Sequence, residues 1–143
     1  MRRFMLAAAL AALGAAVLAS PAFAFDHHFT VLDKQTFFKQ VSQHKFRFKD
    51  RLLDPDNRHN KVGRDRFTCR SKHHKLKCHG LVHLNGKIGG FGDIRVRGDV
   101  EAGDHHLVVL GGSGQFDGVA GKVTFSASPK PGISRKLHFD LVR

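Results

Sequence analysis

Cys69 and Cys78 lie in a histidine-rich segment, residues 67–79, whose residue types suit either a disulfide or a metal site. Structural zinc sites use closely spaced ligand pairs such as Cys-x2-Cys, and neither cysteine has a partner at that spacing. The centre of the segment, 71–75, is polar and typical of a hairpin turn, which would bring the two thiols together across neighbouring strands. We therefore predict a Cys69–Cys78 disulfide that stabilises the fold by about 2–3 kcal/mol.

The chain contains 11 histidines, and six of them form adjacent pairs. The pairs are His27–His28, His73–His74 and His105–His106. Adjacent residues on a strand point to opposite faces, so a pair can chelate one ion only from a loop. His79 and His83 would share a face, but about 13 Å of strand separates them. No ligand spacing is diagnostic, and we predict neither a selective metal site nor a cofactor.

The serine and lysine that lie beside glycines do not form a known catalytic or nucleotide-binding motif. Ser113 stands in Gly-Ser-Gly, whereas a nucleophile elbow needs Gly-x-Ser-x-Gly between a strand and a helix. A phosphate-binding P-loop needs Ser or Thr after Gly-Lys, and Lys122 is followed by Val123. Nucleophilic catalysis and nucleotide binding are therefore both disfavoured.

The aspartates are the remaining candidates for acid–base chemistry. Asp93, Asp99 and Asp117 lie near glycines, where hydrogen bonding at turns is their expected role. Asp65 lies between two arginines, and we expect it to balance their charge. We assign no catalytic residue from the sequence, so a binding protein is favoured over an enzyme.

Residues 1–24 have the pattern of a secretory signal peptide. Two arginines precede an uncharged apolar run, which ends in small residues at Ala22 and Ala24. The run is shorter than the roughly 20 residues that a spanning helix needs, and it is followed by Pro21. We predict cleavage after Ala24 and a secreted or periplasmic protein, in which a disulfide is stable.

The remaining chain is long enough for one domain with a modest core. It contains no Trp or Tyr, and Phe is its large aromatic residue, which indicates an apolar interior. Loss of the two N-terminal arginines lowers the net charge from +12 to +10. We expect 25–43 to lead into a β-domain that spans 44–143.

Period-two alternation indicates strands through most of this domain. Phe46 and Phe48 alternate with basic residues, and Leu137, Phe139 and Leu141 share one face of the last strand. A helix is conceivable only at 33–43. Many short strands at regular spacing are typical of a sandwich or a closed barrel, and the local pattern does not distinguish the two.

A glycine-rich stretch favours the barrel over the sandwich, because it resembles part of a known family. Residues 107–125, Leu-Val-Val-Leu-Gly-Gly-Ser-Gly-Gln-Phe-Asp-Gly-Val-Ala-Gly-Lys-Val-Thr-Phe, resemble the signature of dirigent and allene oxide cyclase-like barrels. The resemblance covers about 44–143 and implies a single eight-stranded antiparallel barrel with an apolar interior. Its glycines permit positive φ and close backbone approach at a barrel corner. They are Gly111, Gly112, Gly114, Gly118 and Gly121.

The resemblance and the charge of the chain together suggest three functional alternatives. The first is a barrel that binds a small apolar ligand in its cavity. The second is an isomerase, cyclase or coupling guide, since cyclases and dirigent proteins confine a reactive guest. None of their pocket residues can be matched to this sequence, and such an activity would need a polar group inside the barrel. Relatives of this fold often form homo-oligomers.

The third alternative is a surface-interaction protein, which depends on a basic exterior. Alternation places these residues opposite the apolar set: Lys45, Arg47, Lys49, Arg64, Arg66, Arg95 and Arg97. Such a surface attracts an anionic polysaccharide or a membrane surface. Nucleic acid is disfavoured, because the protein is exported and no aromatic residue is expected on that face.

Overall fold

The computed structural model describes residues 26–100, 105–128 and 131–143, so the predicted signal peptide at 1–24 lies outside the described residues. Eight strands follow one another along the chain. They are β1 (Asp26–Ser42), β2 (Lys45–Leu53), β3 (Lys61–Lys72), β4 (Lys75–Asn85), β5 (Phe91–Val100), β6 (His105–Gly112), β7 (Ala120–Ala127) and β8 (Arg135–Val142). A short 3₁₀ helix, Gly114–Phe116, connects β6 to β7.

The strands pair in sequence order, and β8 closes the sheet by pairing with β1. Every pairing is antiparallel, which confirms the predicted eight-stranded antiparallel barrel. The segment 25–43, expected to lead into the barrel, supplies strand β1. The suggestion of a helix at 33–43 is therefore wrong. A register shift between Gln35 and Phe37 interrupts the alternation and mimics a helical spacing.

The hairpin of β3 and β4 contains the predicted disulfide. Cys69 and Cys78 are register partners, and their sulfurs are bonded. The two turn residues, His73 and His74, both have positive φ, as a type I′ hairpin turn requires. This histidine pair therefore has a structural role, since it forms the turn that reverses the chain.

One end of the barrel is filled by aromatic side chains. Phe29 stacks on Phe139 with ring centroids 4.6 Å apart, and Phe116 lies 6.4 Å from Phe29. Phe116 comes from the 3₁₀ helix and is fully buried. This closed half is therefore a packed core of buried aromatic side chains.

The predicted glycine motif shapes the corner beside this core. Four of its five glycines have positive φ: Gly111, Gly114, Gly118 and Gly121. Gly121 also lies against the backbone carbonyl of Asp140 on β8, and a side chain there would collide with that oxygen. Glycine is required at this position for close strand approach.

The opposite end of the barrel, nearest the β1–β2 and β3–β4 turns, is the open half. Its inner walls come from residues that alternate with solvent-facing ones, so the pleat decides which side chains enter the interior. No helix among the described residues is long and apolar enough to cross a membrane.

Candidate functional site

Three aspartates point into the barrel from three neighbouring strands. Asp33, Asp50 and Asp65 are 0%, 2% and 4% exposed, and one carboxylate oxygen of each lies within 4.8 Å of the others. Asp50 and Asp65 are direct register partners. We call these three residues the acidic cluster.

Arg135, at the start of β8, is the counter-ion of the cluster. Its Nε donates to Oδ2 of Asp33 at 2.7 Å, and its Nη2 donates to Oδ2 of Asp50 at 2.8 Å. Nη2 also lies 2.7 Å from Oδ2 of Asp33 in an ion pair. The guanidinium lies over the ring of Phe48 at 4.9 Å and over that of Phe125 at 5.6 Å. It is therefore held by charge on one side and by aromatic faces on the other.

Burial raises the pKa of all three carboxyl groups. It raises the pKa of Asp33 to about 7, against the opposing attraction of Arg135. The pKa of Asp50 is also raised by burial, and Arg135 opposes that shift. The pKa of Asp65 is raised well above its usual range by burial and then by the charges of Asp50 and Asp33. Burial therefore favours the neutral form of the Asp65 carboxyl group.

Unpaired oxygens support the same protonation pattern. Within the described residues, Oδ1 of Asp33, Oδ1 of Asp50 and both oxygens of Asp65 have no hydrogen-bond donor. Buried carboxylates without donors are costly, whereas a protonated carboxyl becomes a donor itself. A proton on Asp65 can bond to Asp50, which leaves Asp50 as the anion that Arg135 contacts.

A cavity of about 230 Å³ occupies the open half of the barrel and ends at Arg135. Its walls are mainly apolar, and they include the disulfide. The lining residues are Phe48, Phe67, Cys69, Leu76, Cys78, Val100, His105, Leu107, Phe125 and Arg135. The acidic cluster does not line the cavity, because the guanidinium of Arg135 lies between them.

Glycine on β4 makes room for the cavity wall. A side chain at Gly80 would collide with the ring of Phe67, which lies against the glycine. Phe67 in turn stacks on Phe48 with ring centroids 5.2 Å apart and meets Phe125 edge-on at 6.1 Å. The three rings form an aromatic wall around the head of Arg135.

The expectation that Asp65 balances the charge of neighbouring arginines is wrong, because its side chain faces the interior. The sequence did contain a signal for this orientation, namely the odd or even position of each residue along its strand. Asp65 shares the odd-numbered face of β3 with Phe67 and Cys69, as Asp50 shares a face of β2 with Phe48. The convergence of these aspartates with Arg135 depends on barrel closure, which alternation does not reveal.

The residues predicted for the basic exterior lie on the outer face of the barrel. Arg47, Lys49, Arg64, Arg66, Arg95 and Arg97 are exposed, and Lys45 is half-buried. Their role as a binding surface is a separate question from their placement.

Adjacent histidines on a strand point to opposite faces of the sheet. His105 is half-buried at the cavity wall, whereas His106 is exposed. His28 meets Asp140, Nδ1 to Oδ1 at 2.7 Å, and His138 approaches the same oxygen at 3.1 Å. The hydrogen bond to His28 is the main cause that lowers the pKa of Asp140. Within the described part of the chain, the groups of ligand-type residues close enough to hold an ion are this surface group and the acidic cluster.

No family model and no curated protein matches the sequence. Solved structures do match it. A pyocyanin demethylase superposes with a TM-score of 0.61 at 19% identity, over 80% of this chain and 98% of that one. A pterocarpan synthase dirigent protein gives 0.59 at 15% identity, over 83% and 86% of the two chains. The Diels-Alderase AbmU from Streptomyces koyangensis gives 0.62 at 15% identity, over 83% and 69%.

These similarities define the class of the protein at the level of its fold. The chain has the closed barrel fold of dirigent proteins and of Diels-Alderase cyclases, as the glycine-rich stretch predicted. The disulfide is in keeping with an extracellular or periplasmic location.

Proposed function

We propose that the barrel binds one small, largely aromatic guest whose single acidic or carbonyl oxygen is bound by Arg135. The observation that carries this proposal is the guanidinium, which together with the half-buried His105 supplies the polar part of a mainly apolar cavity. Ligand sites commonly combine apolar walls with a few polar groups that fix orientation. The interior thus contains the polar group that a guest needs in order to bind in one direction.

The size of the cavity limits the guest. At about 230 Å³ it exceeds an engineered cavity of roughly 150 Å³ that binds benzene, and it is smaller than most drug-binding pockets. One or two rings would fill it. The flat rings of Phe48, Phe67 and Phe125 favour a planar guest by offset or edge-on stacking.

Binding of an anion is expected to be coupled to proton uptake. The guest would place a negative charge beside Arg135, which already contacts Asp33 and Asp50. A further anion weakens the hold of the guanidinium on these carboxyl groups and raises their pKa values. Since the pKa of Asp33 is about 7, a proton should be taken up near neutral pH.

Titration with 2-naphthoate and its neutral counterpart 2-naphthylmethanol tests the proposal. We expect the anion to bind about 10 to 100 times more tightly, because a hydrogen bond to a charged group contributes roughly 1.5–3 kcal/mol. Calorimetry in two buffers of different ionisation enthalpy should show proton uptake at pH 7. Equal affinities for the two compounds would refute the role of Arg135.

Two variants separate the guest site from general folding. Arg135→Lys keeps the charge and removes the fork of donors, so the preference for the anion should shrink. Val100→Phe adds a ring to the cavity wall and leaves Arg135 in place, so it should weaken the binding of both compounds equally. Native circular dichroism for both variants is the control. Unchanged binding in Val100→Phe would place the guest elsewhere.

A second candidate function is a guided reaction of the bound guest, an isomerisation, cyclisation or coupling. The specific observation in its favour is the acidic cluster behind Arg135, in which Asp33, with a pKa of about 7, can gain or lose a proton near neutral pH. The fold is shared with cyclases and dirigent proteins, which is a coarse argument for chemistry.

Mass spectrometry separates the two candidates. Native spectra of the protein purified untagged from its own host should show an adduct that denaturation releases. The released compound is then incubated with wild-type protein and with Asp33→Asn. A new product of the same mass, formed by the wild type alone, indicates an isomerase. An unchanged compound indicates a binding protein, and a bare protein counts against both.

A further inference from the structure

A groove of about 720 Å³ crosses the outer face of the barrel, on the far side of the sheet from the guest cavity. Five basic side chains line it, and they come from four strands, β1, β2, β3 and β5: Lys39, Arg47, Lys49, Arg66 and Arg95. None of the described residues that line the groove is acidic. We call this feature the basic groove.

The strand register sets the basic residues of the groove side by side. Lys49 is the direct partner of Arg66, and Arg66 and Arg95 both pair with Leu81 from either side. Neighbouring strands are about 4.8 Å apart, so the cations of this row repeat at about 5 and 10 Å. Like charges directly opposite each other on a sheet destabilise it.

The repulsion is not relieved within the described part of the chain. There, none of the five basic side chains forms an ion pair with a carboxylate. Lys49 instead lies 5.4 Å from the ring centre of Phe37, which is 42% exposed. The groove is thus a row of uncompensated cations with an apolar border of Phe37 and Leu110, and Leu81 lies within the row.

We propose that the basic groove binds an anionic polysaccharide, a linear chain of sugar rings that carry carboxylate or sulfate groups. Cations at regular spacing match the repeated charges of such a polymer, and the apolar border can contact the faces of its rings. The groove is concave, whereas a membrane surface is flat and meets protruding side chains. The disulfide indicates an oxidising compartment, where such polymers are found and nucleic acid is scarce.

Phe37 corrects one expectation from the sequence. Alternation predicted no aromatic side chain on the basic face, but β1 extends through this region and places Phe37 beside Lys49. Phe48 and Phe67 also line the groove, but Phe48 is half-buried and Phe67 is 3% exposed, so neither offers a free ring face. One exposed ring can border one sugar, whereas binding of single-stranded nucleic acid depends on several successive stacking platforms. Binding of single-stranded nucleic acid is therefore disfavoured, and the experiment below measures it.

Titration with a heparin octasaccharide, between 50 and 300 mM NaCl, tests the proposal on the full mature chain. The groove variant Lys49→Gln with Arg66→Gln removes two adjacent cations. Its matched control, Lys87→Gln with Lys136→Gln, removes two exposed cations outside the groove. We expect at least tenfold weaker binding and a shallower salt dependence in the groove variant, and less than a twofold change in the control.

Three results would overturn the proposal: no binding of heparin by the wild type at 50 mM NaCl, equal losses in the two variants, or tighter binding of a 20-nucleotide DNA strand or of phosphatidylserine vesicles. Equal losses would mean attraction by net charge alone. Hyaluronan, which carries carboxylates without sulfates, separates the two sources of charge. Binding of 2-naphthoate should be the same in both variants, so this test is independent of the guest cavity.

Discussion

Strands β2 and β3 bring like charges together on both of their faces, and the two faces deal with them differently. Inside the barrel Asp50 is opposite Asp65, and outside it Lys49 is opposite Arg66. The inner pair lies against Arg135, and the pKa of both carboxyl groups is raised, because burial makes charge costly. The outer pair stays charged in water, where solvent screens it. The interior should therefore respond to pH and the exterior to salt.

The largest effect is expected from removal of the inner counter-ion. Arg135→Met leaves three buried carboxyl groups without a cation and should lower the free energy of unfolding by about 3–5 kcal/mol at pH 8. At pH 5 the loss should be smaller, because the carboxyl groups can then take up protons. Urea unfolding at both pH values measures the difference.

The neighbouring Lys136→Met is the control for this variant. Lys136 is exposed on the same strand, and its substitution should change the free energy by less than about 0.5 kcal/mol. A loss in Arg135→Met that is the same at pH 5 and pH 8 would contradict the proposed charge balance.

A smaller effect of opposite sign is expected at Asp65. Its folded-state pKa lies above the ordinary value of 3.8, so the folded protein binds more protons than the unfolded chain. Stability is then highest at low pH and falls as pH rises above about 4. Asp65→Asn keeps the neutral shape and should be more stable than the wild type at pH 8 by about 1–3 kcal/mol, with little gain at pH 4.

Thermal or urea unfolding across pH 4–8 measures this gain, with the exposed Asp99→Asn as the control. Asp33 contributes in the same direction, since its pKa of about 7 extends the loss of stability to neutral pH. A gain for Asp65→Asn that does not grow with pH would show that Asp65 is ionised in the folded barrel.

The smallest effect on stability is expected from a substitution in the outer pair, Lys49 and Arg66. Lys49→Glu replaces a repulsive cross-strand pair with an attractive one and should stabilise the barrel by about 0.2–1 kcal/mol at low salt. The same change should abolish binding of heparin. Lys136→Glu serves as the control for both measurements. A destabilised Lys49→Glu variant would mean that the contact of Lys49 with Phe37 outweighs the repulsion.

The strands were largely predictable, because their inner and outer residues differ in hydropathy, whereas their closure into a barrel was predicted only by the resemblance of the glycine-rich stretch. β1 was the exception, since its register shift near Gln35 breaks the alternation and leaves Phe37 and Phe38 adjacent on an exposed strand. The disulfide was predictable from the turn between the cysteines. For the other strands and for the disulfide, a local pattern was enough.

The candidate site was not predicted, because charged residues were assumed to face solvent. Parity alone indicates that Asp50 and Asp65 point inward, but a single buried aspartate has no visible partner in the sequence. Its partner, Arg135, is separated from Asp50 by 85 residues and meets it only when β8 closes the barrel. A charge balance assembled by closure can be recognised only in three dimensions.

The pairing of Asp26 with Val142 has a practical consequence. Both residues lie at the closed end, and their strands are adjacent, so a short peptide could join them while the chain is opened at the exposed turn of Asp56 and Asn57. Such a circular permutant should keep the same barrel. A linker attached at Arg143 would likewise leave the guest cavity accessible, which makes this end suitable for immobilising the protein in binding measurements.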